Sequence, residues 1–287
     1  MWSSQHHLTF FFSAESIEIR WLGENLLTGR IPDTICDLTL ASIRLGGNDF
    51  SCPYPTCCGC GLFPPCSPTT TTLTLHPLQA QALTDMQQKW GAQLGWYGSA
   101  QTSACSTWVG ITCTAVNEQQ QVRALVLHNQ GLMGEIPSTI GNLINLQHLD
   151  LSSNPGLVGS TIPTSIASIG TLSWLDLSGC NLTGTIPAGF GTLPNLKLFY
   201  LSYNQLNGSL PSFSPNSSIV ELYADSNGLS GPLPATLADL RNLNKLYLQS
   251  NRLTGSVPNI VCTLSGYNLE RNLWSRPLPA CNDDTGN

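Results

Sequence analysis

Three residue types in this sequence could together make a hydrolytic centre: His148, Asp150 and Ser178 offer a base, an orienting acid and a nucleophile. Asp150 and Asp176 recur at the same place in a repeated pattern and could begin a cation site. Cys57, Cys58 and Cys60, in the run CCGC, could close on a metal. Each reading fails a chemical requirement. The triad residues face outward from an open surface that offers no oxyanion donors and no wall against water. Asp before the last apolar position is an ordinary part of the repeated LDLS pattern. Two carboxylates are too few for calcium, which takes about six to eight oxygen ligands. No His accompanies the CCGC thiols, and disulfides suit their compartment better. The regularly placed glycines mark bends and do not form a phosphate cradle. The sequence therefore predicts no catalytic residue, no metal and no cofactor.

Composition narrows the setting. The chain has 287 residues, 11 Cys and a formal net charge of −6, with only 10 % charged residues. Asn, Ser, Thr and Gly supply the polar surface instead. There is no basic run, which argues against nucleic acid or an anionic membrane as partner. The cysteines, together with glycosylation acceptors at Asn181, Asn207 and Asn216, point to an oxidising, secretory compartment. Nothing in the chain reaches the run of about 18 apolar residues that a transmembrane helix needs. The short apolar run LTFFFSA follows Met1–His7, which holds no Lys or Arg, and makes a poor signal peptide.

The element that must position everything else is a repeat. From Val122 to Pro279 one template recurs: apolar, two free, apolar, one free, apolar, two free, Asn, one free, apolar, one free, Gly, one free, Ile or Leu, Pro. Its second apolar column is Leu125, Leu149, Leu175, Phe199, Leu222, Leu246 and Tyr267, and its third is Leu127, Leu151, Leu177, Leu201, Ala224, Leu248 and Leu269. Successive members of the third column lie 24, 26, 24, 23, 24 and 21 residues apart. This is the period of a leucine-rich repeat, an α/β solenoid in which alternating side chains of a short strand point into the core. The Asn column (Asn154, Asn204, Asn227, Asn251, Asn272) falls where the chain leaves the strand, where stacked amides can pair buried backbone groups from rung to rung. Gln130 and Cys180 replace it in two repeats, and Cys180 reads as a buried, inert free thiol. Gly permits a second bend. The following Pro ends ladder bonding and sends the chain round the convex back.

The segments LDLSSN, LDLSGCNLTGTIP and LYLQSNRLTGSVP resemble the plant-type extracellular leucine-rich repeats of receptor-like kinases, receptor-like proteins and polygalacturonase-inhibiting proteins. The resemblance covers roughly residues 78 to 281. It implies a right-handed superhelix with a parallel concave sheet and disulfide-bonded N- and C-terminal caps. A helix over Leu78–Trp90, with Ala82, Leu83 and Met86 at helical spacing, followed by CSTWVGITC (Cys105 to Cys113), resembles the family's N-terminal cap. Ile111–Thr114 and Val122–Leu127 are expected to pair across the polar turn NEQQQ.

In order, residues 1–16 are an unassigned leader, 78–121 the N-terminal cap, 122–263 six repeats, and 264–287 the terminal repeat with its C-cap. Residues 17–66 fit the template once more, with Asn25, Leu27, Gly29, Ile31 and Pro32 in place, although Arg20 breaks an apolar column. Their ending matches that of the main array: Pro to Cys is four residues and Asn to Cys nine in both IPDTICDL…NDFSCPYPTC and VPNIVCTL…NLWSRPLPAC. They read as the last repeat and Cys-rich cap of a preceding array, and the chain is then expected to be a fragment of a longer polypeptide; the alternative is a degenerate, disulfide-held stub. Residues 67–77 are a Thr/Pro linker. Rungs stack about 4.8 Å apart, within the roughly 4.4–6.8 Å between Cα atoms that a disulfide needs. That predicts Cys262–Cys281 and, by internal analogy, Cys36–Cys57, alongside Cys105–Cys113 in the cap. The pairing of Cys52, Cys58, Cys60 and Cys66 stays open.

The concave face carries the candidate binding residues His148, Trp174, Tyr200, Tyr203, Glu221, Tyr223, Lys245, Tyr247 and Gln249. Tyr200, Tyr223 and Tyr247 share one column, and exposed aromatics are enriched at binding hot spots. The expected function is non-enzymatic recognition of a peptide, protein or cell-wall glycan, as in receptor-type ectodomains. The alternatives are a secreted inhibitor of a cell-wall hydrolase and a structural wall or matrix protein.

Overall fold

The computed structural model describes residues 28–30, 49–51, 73–116 and 119–281. The chain forms two compact units, residues 1–71 and 72–287. In the first, β1 (Thr28–Arg30) and β2 (Asp49–Ser51) pair in parallel, with Thr28 opposite Asp49 and Gly29 opposite Phe50. The expected Cys36–Cys57 bridge, and Cys52, Cys58, Cys60 and Cys66, lie outside the described residues.

The second unit begins with a cap. Helix α1 (Pro77–Leu94) has Pro at its start and ends on Gly95, whose φ of 64° is the left-handed conformation that releases the chain from the helix. It is longer than the spacing predicts, and Ala82, Leu83, Met86 and Trp90 are buried as expected. Helix α2 (Ala100–Thr107) is an addition to the sequence reading; Ser99 caps it by accepting from the Gln101 backbone N–H. Between the helices Trp96 and Trp108 stack at 4.7 Å. Each indole N–H is satisfied by a backbone carbonyl, Trp96 by Val109 and Trp108 by Tyr97. The Cys105–Cys113 disulfide then ties α2 to β3 (Ile111–Val116), with Cα atoms 5.5 Å apart. Strand β3 pairs antiparallel with β4 (Gln119–Val126) and covers the open side of the first rung.

From β4 onward the pairing is parallel, through β5 (His148–Asp150), β6 (Trp174–Asp176), β7 (Leu198–Tyr200), β9 (Glu221–Tyr223), β11 (Lys245–Tyr247) and β13 (Gly266–Asn268). Each strand aligns its central residue with the next: Leu125, Leu149, Leu175, Phe199, Leu222 and Leu246 form one unbroken, fully buried row. No coil can hide this row alone; each is the lid of the one before. Tyr267 occupies the row's last place and is 40 % exposed, contrary to its expected inward role, because β13 is the edge strand of the sheet among the described residues. Its hydroxyl instead lies 3.4 Å from Cys281 Sγ, beside the Cys262–Cys281 disulfide that closes the array.

The Asn column does what the turn chemistry requires. Asn154 Nδ2 donates to the carbonyls of Leu127, Leu151 and Ser152, while its Oδ1 accepts from the backbone of Gln130 and Leu132. Asn227, Asn251 and Asn272 repeat the arrangement, each holding carbonyls of its own and the preceding rung. Beyond the Asn turn the chain forms a second parallel sheet, β8 (Asn207–Gly208), β10 (Gly228–Pro232), β12 (Arg252–Gly255) and β14 (Leu273–Trp274). The Gly column therefore bends and bonds at once. Gly184 and Gly208 have φ of 77° and 74°, and a Cβ on either would sit 3.0 Å from Cγ2 of a threonine on the preceding rung. The β12–β14 pairing sets Thr254 opposite Leu273 and Gly255 opposite Trp274. Template-equivalent residues meet in the same register in β1 and β2. After the Pro column, short 3-10 turns such as Ala188–Thr192 carry the chain across the convex side.

Candidate functional site

The concave sheet presents two outward columns that flank the buried leucine row. One runs His148, Trp174, Leu198, Glu221, Lys245; the other runs Asp150, Asp176, Tyr200, Tyr223, Tyr247. Parallel pairing in constant register, rung after rung, forces side chains of one column into contact.

The contact is a continuous ladder of rings. His148 lies flat on Trp174, with centroids 4.4 Å apart and planes 11° from parallel. Trp174 meets Tyr200 edge-on at 6.3 Å, crossing from one column to the other. Tyr200 to Tyr223 is 4.7 Å and Tyr223 to Tyr247 is 4.8 Å. The three tyrosines thus form the predicted ladder, and His148 and Trp174 extend it toward the N-terminal cap.

Polar groups are woven into its far half. Tyr200 Oη donates to Glu221 Oε2 at 2.6 Å, and Lys245 Nζ lies 3.0 Å from Glu221 Oε1. Burial would raise the Glu221 carboxyl, but hydrogen bonds from Tyr200, Lys245 and Tyr223 outweigh it and hold the group below its ordinary value. The same carboxylate raises Lys245. Burial first, and then the Glu221 carboxylate, raise Tyr200 and Tyr223, so both phenols stay protonated as donors at neutral pH.

At the other end, burial lowers His148 despite the opposing charges of Asp150 and Asp176. Burial raises Asp176; hydrogen bonds from Ser178 resist this, and the charge of Asp150 adds to it. His148 Nε2 and Trp174 Nε1 are shut from solvent without a hydrogen-bond partner, as is Gln249 Oε1 two columns over. His148 forms no hydrogen bond with Ser178, so the triad residues share a face without composing a relay.

Of the expected residues, Tyr203 alone stands apart. It sits on the turn after β7 with φ of 57°, is 66 % exposed, and has no ring contact with the ladder. Among the described residues no group of His, Cys, Asp and Glu could hold a metal, and no helix is long and apolar enough to cross a membrane. Cys180 is a buried free thiol that burial pushes up to about 12.

Family models for the leucine rich repeat match residues 170–229, and also 145–169 and 242–264. Phytosulfokine receptor 1 of Arabidopsis thaliana is 35 % identical over 122 residues, which is 42 % of this chain and 12 % of the receptor. Receptor-like protein 6 of the same plant is 40 % identical over 82 residues, 28 % of this chain and 8 % of that protein. The matched part is thus a small share of either relative's length. Among solved structures, a plant ice-binding protein superposes with a TM-score of 0.61 at 26 % identity, over 70 % of this chain and 65 % of that one. The PEPR1-AtPEP1 structure gives a TM-score of 0.59 at 29 % identity, over 69 % and 29 %.

Proposed function

Because this chain belongs to the plant leucine-rich repeat family that includes receptor-like kinase and receptor-like protein ectodomains, a non-catalytic family, we propose that it is an extracellular recognition module whose concave face binds an extended peptide or a protein segment. The observation that carries this is the ring ladder from His148 to Tyr247, which no packing need explains. The core beneath is complete without it. Aromatic contact area held rigid by its neighbours costs little entropy on binding. The flat stacking of His148 on Trp174 also hides one face of each of these two rings from a sugar ring. One similar structure is named for PEPR1 with AtPEP1, and one relative as a receptor for phytosulfokine. The two disulfides and the exposed acceptors Asn207 and Asn216 suit a secreted setting. Asn181 is a poorer acceptor, since its Nδ2 already donates to the Pro155 carbonyl at 3.0 Å.

The test is capture of partners from apoplastic extract by the full chain and by Tyr200/Tyr223/Tyr247→Ala. We expect the substituted protein to lose the specific set. An unchanged set would remove the concave face from the function. Cell-wall hydrolases in the captured set would favour the inhibitor reading, and wall polymers the structural one.

A second reading has its own observation. The Gly column is flanked by small hydroxyl and amide residues, Thr183 and Thr185, Asn207 and Ser209, Thr254 and Ser256, with Thr161 beside Thr183. That uncharged array, in a chain similar to a plant ice-binding protein, suits an ordered water surface. Ice recrystallisation inhibition by the unglycosylated chain tests it. A glycan on Asn207 would stand in the array, so inhibition and occupancy of that acceptor are mutually exclusive.

A further inference from the structure

The ring ladder has two electrically different ends. At the far end Glu221 and Lys245 neutralise each other at 3.0 Å. Near the N-terminal cap Asp150 and Asp176 are register partners on adjacent strands, about 4.8 Å apart as neighbouring rungs are. Neither forms an ion pair among the described residues. His148 supplies no countercharge at neutral pH, because burial lowers it below its ordinary value.

Local structure accounts for only half of each carboxylate. Oδ1 of Asp150 accepts from the backbone N–H and the hydroxyl of Ser152 at 2.9 and 2.5 Å, and Oδ1 of Asp176 accepts from the Ser178 backbone at 2.9 Å. These bonds fix the turns. Oδ2 of each is left without a hydrogen bond among the described residues. Beside them, Trp174 Nε1 and His148 Nε2 are buried and unpartnered. Two like charges on adjacent rungs that form no ion pair are unfavourable in an empty surface, and a cationic donor set between the rungs relieves the charge.

We infer that this end of the concave face receives an arginine side chain of an extended peptide whose following residues lie along Tyr200, Tyr223 and Tyr247. Guanidinium suits the site better than ammonium, since its planar fork can reach carboxylates on two neighbouring rungs at once. An extended chain advances about 3.3 Å per residue, so roughly four residues reach from Asp176 to Tyr247. The same charge pattern rejects polyuronates. The inference rests on the recognition reading above and specifies its ligand.

Fluorescence anisotropy on the full chain tests it, with a labelled hexapeptide Arg-Ala-Leu-Ala-Tyr-Ala and its Ala-first and Glu-first counterparts. The Arg peptide is expected to bind at least about tenfold more tightly than the Ala peptide at low salt, with the margin shrinking at high salt. Asp150→Asn/Asp176→Asn should erase that margin while the Ala peptide binds as before; Asn keeps the Oδ1 acceptor, and a melting temperature no lower than that of the unaltered chain confirms that the turns persist. Equal binding of the Arg and Ala peptides, survival of the margin in the double variant, or no binding of any peptide overturns the inference. If Tyr200/Tyr223/Tyr247→Ala binds every peptide as well as the unaltered chain, the recognition reading itself falls.

Discussion

The side-chain amide of Asn204 holds the backbone of Cys180 one rung away: Oδ1 accepts the Cys180 N–H at 3.1 Å and the Leu182 N–H at 2.9 Å. Its Nδ2 donates to Leu177, Leu201 and Ser202 carbonyls. Cys180 takes the amide's place on its own rung, with Sγ 3.0 Å from the Leu151 carbonyl. Asn204→Ala strands two buried donors, each worth about 1–3 kcal/mol when left unmade. We expect a loss of at least about 2 kcal/mol in urea unfolding; a loss indistinguishable from a surface substitution would contradict the ladder.

Cys180 itself should be chemically silent. Burial pushes its thiol up to about 12, and it lies wholly inside the core. A disulfide exchange reagent at neutral pH should label it only in denaturant. Rapid labelling of the folded chain would place the thiol at the surface.

The leucine row sets the stability. Leu175→Ala should cost about 2–5 kcal/mol, the range for a fully buried leucine that leaves a cavity. Lys89, at 3.7 Å from Glu135 and exposed, should cost under about 1 kcal/mol when replaced by Ala. Parallel denaturation curves compare the two directly.

Loss of the closing disulfide should be felt locally. Cys262 and Cys281 are 19 residues apart, and removing a bridge over such a loop costs about 3 kcal/mol. Because coils depend on their immediate neighbours, hydrogen exchange in Cys262→Ser/Cys281→Ser should quicken in β13 and β14 and stay slow in β5 and β6. Uniform acceleration along the array would refute neighbour-limited coupling.

Asp176 gives a pH signature. Burial holds its carboxyl above the unfolded value. The protonated group therefore favours folding: that contribution is complete below the unfolded value and is lost as pH rises through the folded one. Asp176→Asn should be more stable than the unaltered chain at neutral pH, and the advantage should fade on acidification through the carboxylate range. Melting temperatures across that range decide it; a variant less stable at neutral pH gives the opposite sign.

What could be read from the sequence depended on repetition. The leucine row, the Asn column and the Tyr200–Tyr223–Tyr247 column recur at fixed intervals, so each rung vouches for the others. Helix α2 had no such support: of its residues only Ala100 and Ala104 are buried, too little for an apolar stripe. The second sheet is hidden because Gly and Pro occupy strand positions, against their usual preference. Tyr203 does not share the strand register of the other tyrosines, since its positive φ marks the turn after β7. The Trp174–Tyr200 contact crosses columns and needs three dimensions to be seen.

Thr28 and Gly29 meet Asp49 and Phe50 as Thr254 and Gly255 meet Leu273 and Trp274. The finial built on β12 and β14 has to fit only the single coil beneath it, because coil energies extend no further than the adjacent member. It is therefore transplantable: columns of any height can be finished with the same piece, and the number of storeys can change without redrawing the roof.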